Sequence, residues 1–305
     1  MKTRLKIGGY QGAGSVHTRA LKALVQALAD SGAPFEPELH LDVTSEGRPA
    51  GELFAGVENG EYDLCYMASG YLSARVPSLG VLDVPFSIAD RNQAYKVLDG
   101  DVGRRLSADV RAATSLEVLS FWDNGFRHVT NCKRDIRTTE DCDGIVVRTL
   151  NNQTYVDVLK ALGFEPVITD VKDMVERVQN GTVDAQENPL TNLVNFGMHQ
   201  YHRHVSMTGH IFGLALLVAN GDWWTSLPED ARNKLIAAIE AATAVQRQAS
   251  IDDDSALVKF LREDGVTVLM PEDMDMAGFR AAAADVSAGL RKGLPADLCA
   301  GYLQA

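Results

Sequence analysis

Short apolar runs along this chain alternate with longer segments in which apolar residues recur every three or four positions. The run at 5–8 predicts a strand, and Gly12-Ala-Gly-Ser15 a loop. Ser15 is placed to cap a helix carrying Leu21, Leu24, Val25 and Leu28 on one face, ended by Gly32 and Pro34. The same alternation predicts a strand over 38–43, a helix over 49–59 closed by Gly60, and a strand over 62–67 running into Ala68-Ser-Gly70. Helices near 90–98 and 102–113 precede a strong strand at 116–122, and Asn124-Gly125 then reads as a flexible hinge.

Past the hinge the pattern restarts. Residues 144–148 predict a strand, 152–162 a helix closed by Gly163, 171–179 a helix closed by Gly181, and 183–186 a strand. Asn188-Pro189 looks like the cap and first-turn proline of a further helix. Residues 204–218 are largely extended and suit a return to the first half. Strands alternating with helices imply a mostly parallel α/β sheet covered on both faces, with ligands at the carboxyl ends of its strands. Two such units joined by crossing segments describe a two-lobed clamshell, with 1–125 plus 213–253 in one lobe and 126–212 plus 254–305 in the other.

From Ser226-Leu-Pro-Glu-Asp230 a helical pattern runs to about Glu263. At 1.5 Å per residue its roughly 35 residues reach about 50 Å, longer than either lobe. Such a helix could strap both lobes together. A strand at 265–270 and an amphipathic helix at 273–290 close the chain.

Composition narrows the function classes. A length of 305 residues with 46% hydrophobic and 23% charged residues is globular and allows two domains. A net charge of −12 argues against nucleic acid and anionic lipid, which need a basic face. No apolar run approaches the roughly 20 residues of a membrane span. Met1-Lys-Thr-Arg leads straight into the first strand with no apolar leader. Three readings stand: a leader removed, a different start, or a cytoplasmic protein. Cys65 reads as a core residue, while Cys132 and Cys142 bracket a polar loop and are either bridged or two free thiols. His199, His202 and His204 fit a solvated turn better than a zinc site, and no metal is expected.

The chemistry-bearing stretches are Trp122-Asp-Asn-Gly-Phe-Arg-His-Val-Thr-Asn131, Val147-Arg148 and Asp184-Ala-Gln-Glu-Asn-Pro189. Arg148 ends a strand, where a guanidinium can project its planar fork into a cleft and match a carboxylate at two points. On spacing alone a surface salt bridge is the competing reading. Arg127 suits a second anion contact or an inter-domain salt bridge to Asp123. Asn188 suits a helix cap, a ligand contact, or both.

Together with Pro85-Phe86, Leu227-Pro-Glu229 and the long helix, these stretches resemble the solute-binding subunits of tripartite ATP-independent periplasmic (TRAP) transporters, the DctP-like family. The departures are Cys132, Cys142 and Ala185, the last often glycine in the family. The resemblance implies a periplasmic-binding-protein-like fold and a periplasmic protein that captures a small organic acid between its lobes. It implies that Arg148 clamps the ligand carboxylate, with Arg127 and Asn188 beside it. Asn151 and His210 fall where the family often has polar cleft residues; His210 is equally readable as packing. Tyr10, Ala68, Ser69 and Tyr71 align with the first-lobe wall, and Val171 with a ligand-packing position. That wall suits a compact or partly apolar carboxylate better than a sugar acid with many hydroxyls, unless Tyr10 and Tyr71 merely pack the core. The expected partners are the carboxylate and the TRAP membrane subunits, with no cofactor, no nucleic acid and no membrane insertion, and the protein is expected to be a monomer.

Two rivals belong to other classes. An enzyme on this scaffold would need a nucleophile elbow, a phosphate loop or a metal cluster, and the sequence has none of these motifs. Gly8-Gly-Tyr-Gln-Gly12-Ala-Gly14 does not fit the dinucleotide pattern. A ligand-sensing regulator would need an effector domain for which the chain has no room.

Overall fold

The computed structural model describes residues 2–303, so Met1 and Gln304–Ala305, the outer ends of the expected lobe ranges, lie outside them. Nine strands form one mixed sheet: β1 (Thr3–Gly8), β2 (Phe35–His40), β3 (Leu64–Ala68), β4 (Leu116–Asn131), β5 (Val146–Thr149), β6 (Glu165–Ile168), β7 (Ala185–Asn188), β8 (His204–Asn220) and β9 (Thr267–Leu269). The order is β2-β1-β3-β8-β4-β7-β5-β6, with β9 on the outer part of β8. The 16-residue β4 and 17-residue β8 run antiparallel through the middle, so each serves both halves of the molecule.

The strand expected over 116–122 does not stop before Asn124-Gly125, the dipeptide expected to act as a hinge. β4 continues to Asn131, with a register shift between Asp123 and Gly125. Gly125 sits at φ +98°, and a Cβ there would come within 2.8 Å of the Pro189 side chain. Only glycine accepts both constraints without displacement.

Among the described residues twelve helices cover the sheet, and their starts follow local chemistry. In α1 (Val16–Asp30) Ser15 accepts from the Thr18 amide, and α2 (Leu53–Glu58) ends before Gly60 at φ +74°. α3 (Arg91–Leu98) and α4 (Asp101–Ala113) precede β4. α5 (Gln153–Ala161) is capped by Asn152, α6 (Val171–Gln179) by Asp170, and α7 (Leu190–Asn195) begins after Pro189. α8 (Gly221–Ser226) precedes α9 (Glu229–Glu263), and α10 (Met276–Ala282), α11 (Ala284–Gly293) and α12 (Ala296–Tyr302) follow β9.

The apolar side chains gather on two sides of the crossing. The first cluster holds β1–β3, the start of β4 and the end of β8; two further clusters hold β5, β7, β9 and the helices beside them. The 35-residue α9 joins them, with Leu235, Ile239 and Ala242 in the first cluster and Leu261 in a later one. One segment departs from the expected division. Leu298, Tyr302 and Leu303 pack in the first cluster, so the last helix returns to the lobe opposite the one anticipated for 254–305. Pro295 restarts the helix there, and the apolar side of α12 finds its partners on α3, α4 and the turn at 77–83.

Candidate functional site

The carboxyl ends of the parallel strands converge where the two halves meet, as the topology requires of an open α/β sheet. Tyr10 follows β1, Ser69 and Tyr71 follow β3, and Arg148 lies in β5. Thr169 follows β6, and Asn188 ends β7. Strand alternation explains Arg148: Val147 is buried in an apolar cluster, so the next side chain projects to the opposite side.

Arg148 is almost fully buried, at 1% exposure. Its Nε donates to the Thr169 carbonyl at 2.8 Å, while Nη2 is buried without a partner. Thr169 Oγ1 is likewise buried and unpaired, and the buried Tyr71 hydroxyl lies beside the Arg148 guanidinium without good hydrogen-bond geometry to it. Burial raises the Tyr71 phenol, and the neighbouring Arg148 guanidinium opposes that shift. Tyr10, buried against Tyr66, has its phenol raised by burial and by Tyr71, with Arg127 and Arg148 pulling the other way. Buried polar groups in native proteins are normally satisfied, so several orphans around one guanidinium mark a place shaped for another molecule.

Arg127 is the opposite case. Its Nε donates to Glu187 Oε2, and its Nη2 donates to Glu187 Oε1 at 2.8 Å, the Glu187 carbonyl at 2.7 Å and Asn188 Oδ1 at 3.1 Å. The guanidinium also lies over the Tyr155 ring, 5.1 Å from its centroid. Thr149 Oγ1 donates to Glu187 at 2.8 Å. Burial alone would raise the Glu187 carboxyl, but the Arg127 charge and bonds prevail and hold it at about 2. The anticipated Asp123 partnership is not formed. Asp123 instead lies against Arg91, at 3.2 Å, and Tyr95.

Asn188 does not cap the helix after it; no side chain caps α7. Its Oδ1 accepts from Arg127 and, at 3.2 Å, from Asn192, and its Nδ2 donates to Gln186. His210 is fully buried, paired through Nδ1 with Thr208 at 2.8 Å, while its Nε2 stands 3.4 Å from Glu187 without hydrogen-bond geometry. Asn151 is exposed, and its neighbour Asn152 is the buried one. Ser69 is buried beside Tyr71, and Val171, at the start of α6, packs into the first cluster. Among the described residues the cysteines are all free, Cys132 exposed and Cys142 buried, and no helix is long and apolar enough to cross a membrane.

Sequence reasoning passed over the residues that join the two halves. Asn152 caps α5 through Oδ1, and its Nδ2 reaches across to the Gly70 carbonyl and Asp83, each at 3.0 Å. Tyr155 donates to Asp83 at 3.1 Å, and Gln11 to Asn192 at 3.0 Å. Asp170 accepts from the Ala50 amide at 3.2 Å. The halves are therefore latched shut. An Asn before a helical apolar pattern is a cap signal, and applying it one residue later would have found Asn152. A groove of about 800 Å³ lined by Arg104, Arg111, Glu117 and Arg247 lies elsewhere, and none of the site residues lines it.

The model of the bacterial extracellular solute-binding protein family 7, DctP, matches residues 11–291. The chain belongs to that family. Its members are transporter solute-binding proteins and not enzymes. A solute-binding protein of Verminephrobacter eiseniae is 32% identical over 79% of this chain and 71% of its own. The 2,3-diketo-L-gulonate-binding periplasmic protein YiaO of Escherichia coli is 29% identical over 74% and 68%. The crystal structure of a TRAP periplasmic solute-binding protein from Polaromonas sp. JS666, bound to D-erythronate, superposes with a TM-score of 0.92 at 31% identity. That match covers 100% of this chain and 99% of the other.

Proposed function

We propose that this protein captures a small organic acid in the cleft between its lobes, in the periplasm, and delivers it as a monomer to TRAP-type membrane subunits. The observation that carries this reading is Arg148: a buried guanidinium held by one backbone carbonyl, with Nη2 unpaired among the Tyr71 and Thr169 hydroxyls. A carboxylate is the planar two-point acceptor that completes such a fork. Carboxylates bound in similar proteins, D-erythronate in the Polaromonas structure among them, support the class of ligand.

The chain works as two lobes, 1–125 with 213–253 and the last helix, and 126–212 with the rest of 254–305. They close on the ligand because only the closed form brings Tyr10, Ser69 and Tyr71 to the same molecule as Arg148 and Val171. Arg127 and Asn188 act mainly by fixing the strand ends beside it.

A thermal-shift screen of organic acids tests the reading, since a ligand at 100 times its dissociation constant adds about 2.7 kcal/mol. Shifts are expected for acids and not for their amides, and they should disappear in Arg148→Ala. Equal shifts with the amides would end the carboxylate assignment. Small-angle scattering should show compaction on saturation.

A further inference from the structure

Among the described residues, Phe86 is the one non-glycine with a left-handed backbone, at φ +53°. Val84-Pro85-Phe86-Ser87 form a turn closed by Ser87 Oγ, which donates to the Val84 carbonyl at 2.8 Å. Proline in the second place followed by a positive φ in the third is the arrangement for which turns call on glycine. A bulky side chain there is strained, and such strain persists only where the surroundings enforce it.

Those surroundings come from the opposite lobe. Pro85-Phe86 follows the turn at 77–83 in the first lobe, whereas the Phe86 amide donates to the His210 carbonyl of β8 at 2.9 Å. Its ring packs against the second-lobe cluster that holds Phe279 and Ala283, with the Arg280 guanidinium 5.6 Å from the ring centroid. A hollow of about 360 Å³ lined by Phe86, Arg280, Ser287 and Arg291 lies alongside, so the ring is not locked in place like a core residue. Three residues earlier, Asp83 takes the cross-lobe bonds from Asn152 and Tyr155. One short segment thus carries both a polar latch and a strained aromatic contact.

We propose that Phe86 is a spring as well as a clasp: closing the lobes presses its backbone into the left-handed conformation, and opening releases it. The ring contact favours closure and the backbone strain opposes it, which keeps capture reversible. This rests on the two-lobe closure proposed above and names a residue that moderates it.

Phe86→Ala and Phe86→Gly both lack the ring and differ in the backbone they tolerate, so comparing them isolates the strain. Calorimetry with D-erythronate as the probe should find Phe86→Gly binding about fivefold more tightly than Phe86→Ala. Phe86→Asn, which accepts a left-handed φ without the flexibility of glycine, should also bind more tightly than Phe86→Ala. Equal affinities in all three would show the strain to be the same in both states of the cleft and would overturn the inference. Amide hydrogen exchange on the ligand-free native chain needs neither variant nor acid, and it decides if D-erythronate gives no heat. The Phe86 amide should exchange through lobe opening, at least about tenfold faster than the Leu216 amide within the sheet. Equal protection at the two positions would mean that the turn never leaves β8, and would overturn the inference as well. A failure of closure itself shows separately, as scattering unchanged by a saturating acid.

Discussion

Arg127 and Arg148 lie on β4 and β5 of one sheet, which flank β7, and both are buried. Their surroundings separate them. β7 turns Glu187 toward Arg127, and Thr149 and Asn188 close the circuit, so every charge there has its opposite. Arg148 receives only the Thr169 carbonyl, and the polar atoms next to it are unpaired. A satisfied buried pair holds structure, whereas a buried charge left open is costly without a ligand and is retained for one. On the proposed reading the two arginines therefore divide the work, one as scaffold and one as clamp.

The largest effect should come from breaking the scaffold. Glu187→Ala leaves the Arg127 charge buried and unpaired, a loss of about 3–5 kcal/mol. Thermal unfolding should fall by roughly 10 °C. The double change Arg127→Met with Glu187→Leu removes both charges and should restore much of that stability. A single substitution with native stability would show that Arg127 is not held as described.

The clamp should respond in the other observable. Arg148→Ala should leave the fold intact by circular dichroism and weaken binding by about 3 kcal/mol, over a hundredfold, by calorimetry. Arg148→Lys keeps the charge without the fork and should recover only part. Near-native affinity in Arg148→Ala would take the residue out of the site.

How much of this division could be read from the chain depends on where each signal lies. The helix at 171–179 and the Ser15 cap were legible because helical periodicity and capping are local. The passage of β4 through Asn124-Gly125 was not. The dipeptide reads as a turn, and only pairing with β8, some 90 residues later, makes it strand. Asn188 misled for the same reason: its proline neighbour suggests a cap, but Arg127 across the sheet claims its oxygen. Arg148 stood out through the resemblance, because spacing alone allowed a surface salt bridge. Its lack of a charged partner was not legible, because Glu187 could have faced either arginine. The Asn152 latch needed the opposite lobe to be in view.

The latch gives a weaker, more selective perturbation. Asn152→Asp keeps the oxygen that caps α5 and replaces the amide donor with a carboxylate facing Asp83 and the Gly70 carbonyl. Helical stability should be nearly unchanged, while closure loses its cross-lobe bonds. Ligand affinity should drop by about 1–2 kcal/mol, and calorimetry should find it without a matching fall in unfolding temperature. An equal loss in both would mean that the latch is part of the fold and not of closure.

Asp83 sharpens the comparison by showing what a buried carboxyl does here when its hydrogen-bond donors are all neutral. Glu187, against Arg127, is held at about 2; Asp83 is pushed up by burial to about 6, with the Ser73, Tyr155 and Asn152 bonds only partly opposing. A carboxyl raised in the closed form binds its proton more tightly there, so closure is favoured below the ordinary value near 4. That advantage is lost as pH rises through about 6. Glu187 has the opposite sign: its contribution is present above about 4.5 and is lost only as pH falls toward 2, so the Arg127 pair stays constant over the same window. Two pKa units set an upper bound of about 3 kcal/mol. Part of the desolvation precedes closure, because Asp83 is already packed in the turn at 77–83, so we expect about 1 kcal/mol in binding, roughly fivefold. Affinity for an acid that stays ionised, such as a 2-hydroxy acid, should weaken by that factor between pH 4.5 and 7. Asp83→Asn, which cannot ionise, should show no such slope. The same slope in Asp83→Asn would place the titrating group elsewhere, and a flat native profile would mean that Asp83 is equally buried in both states of the cleft.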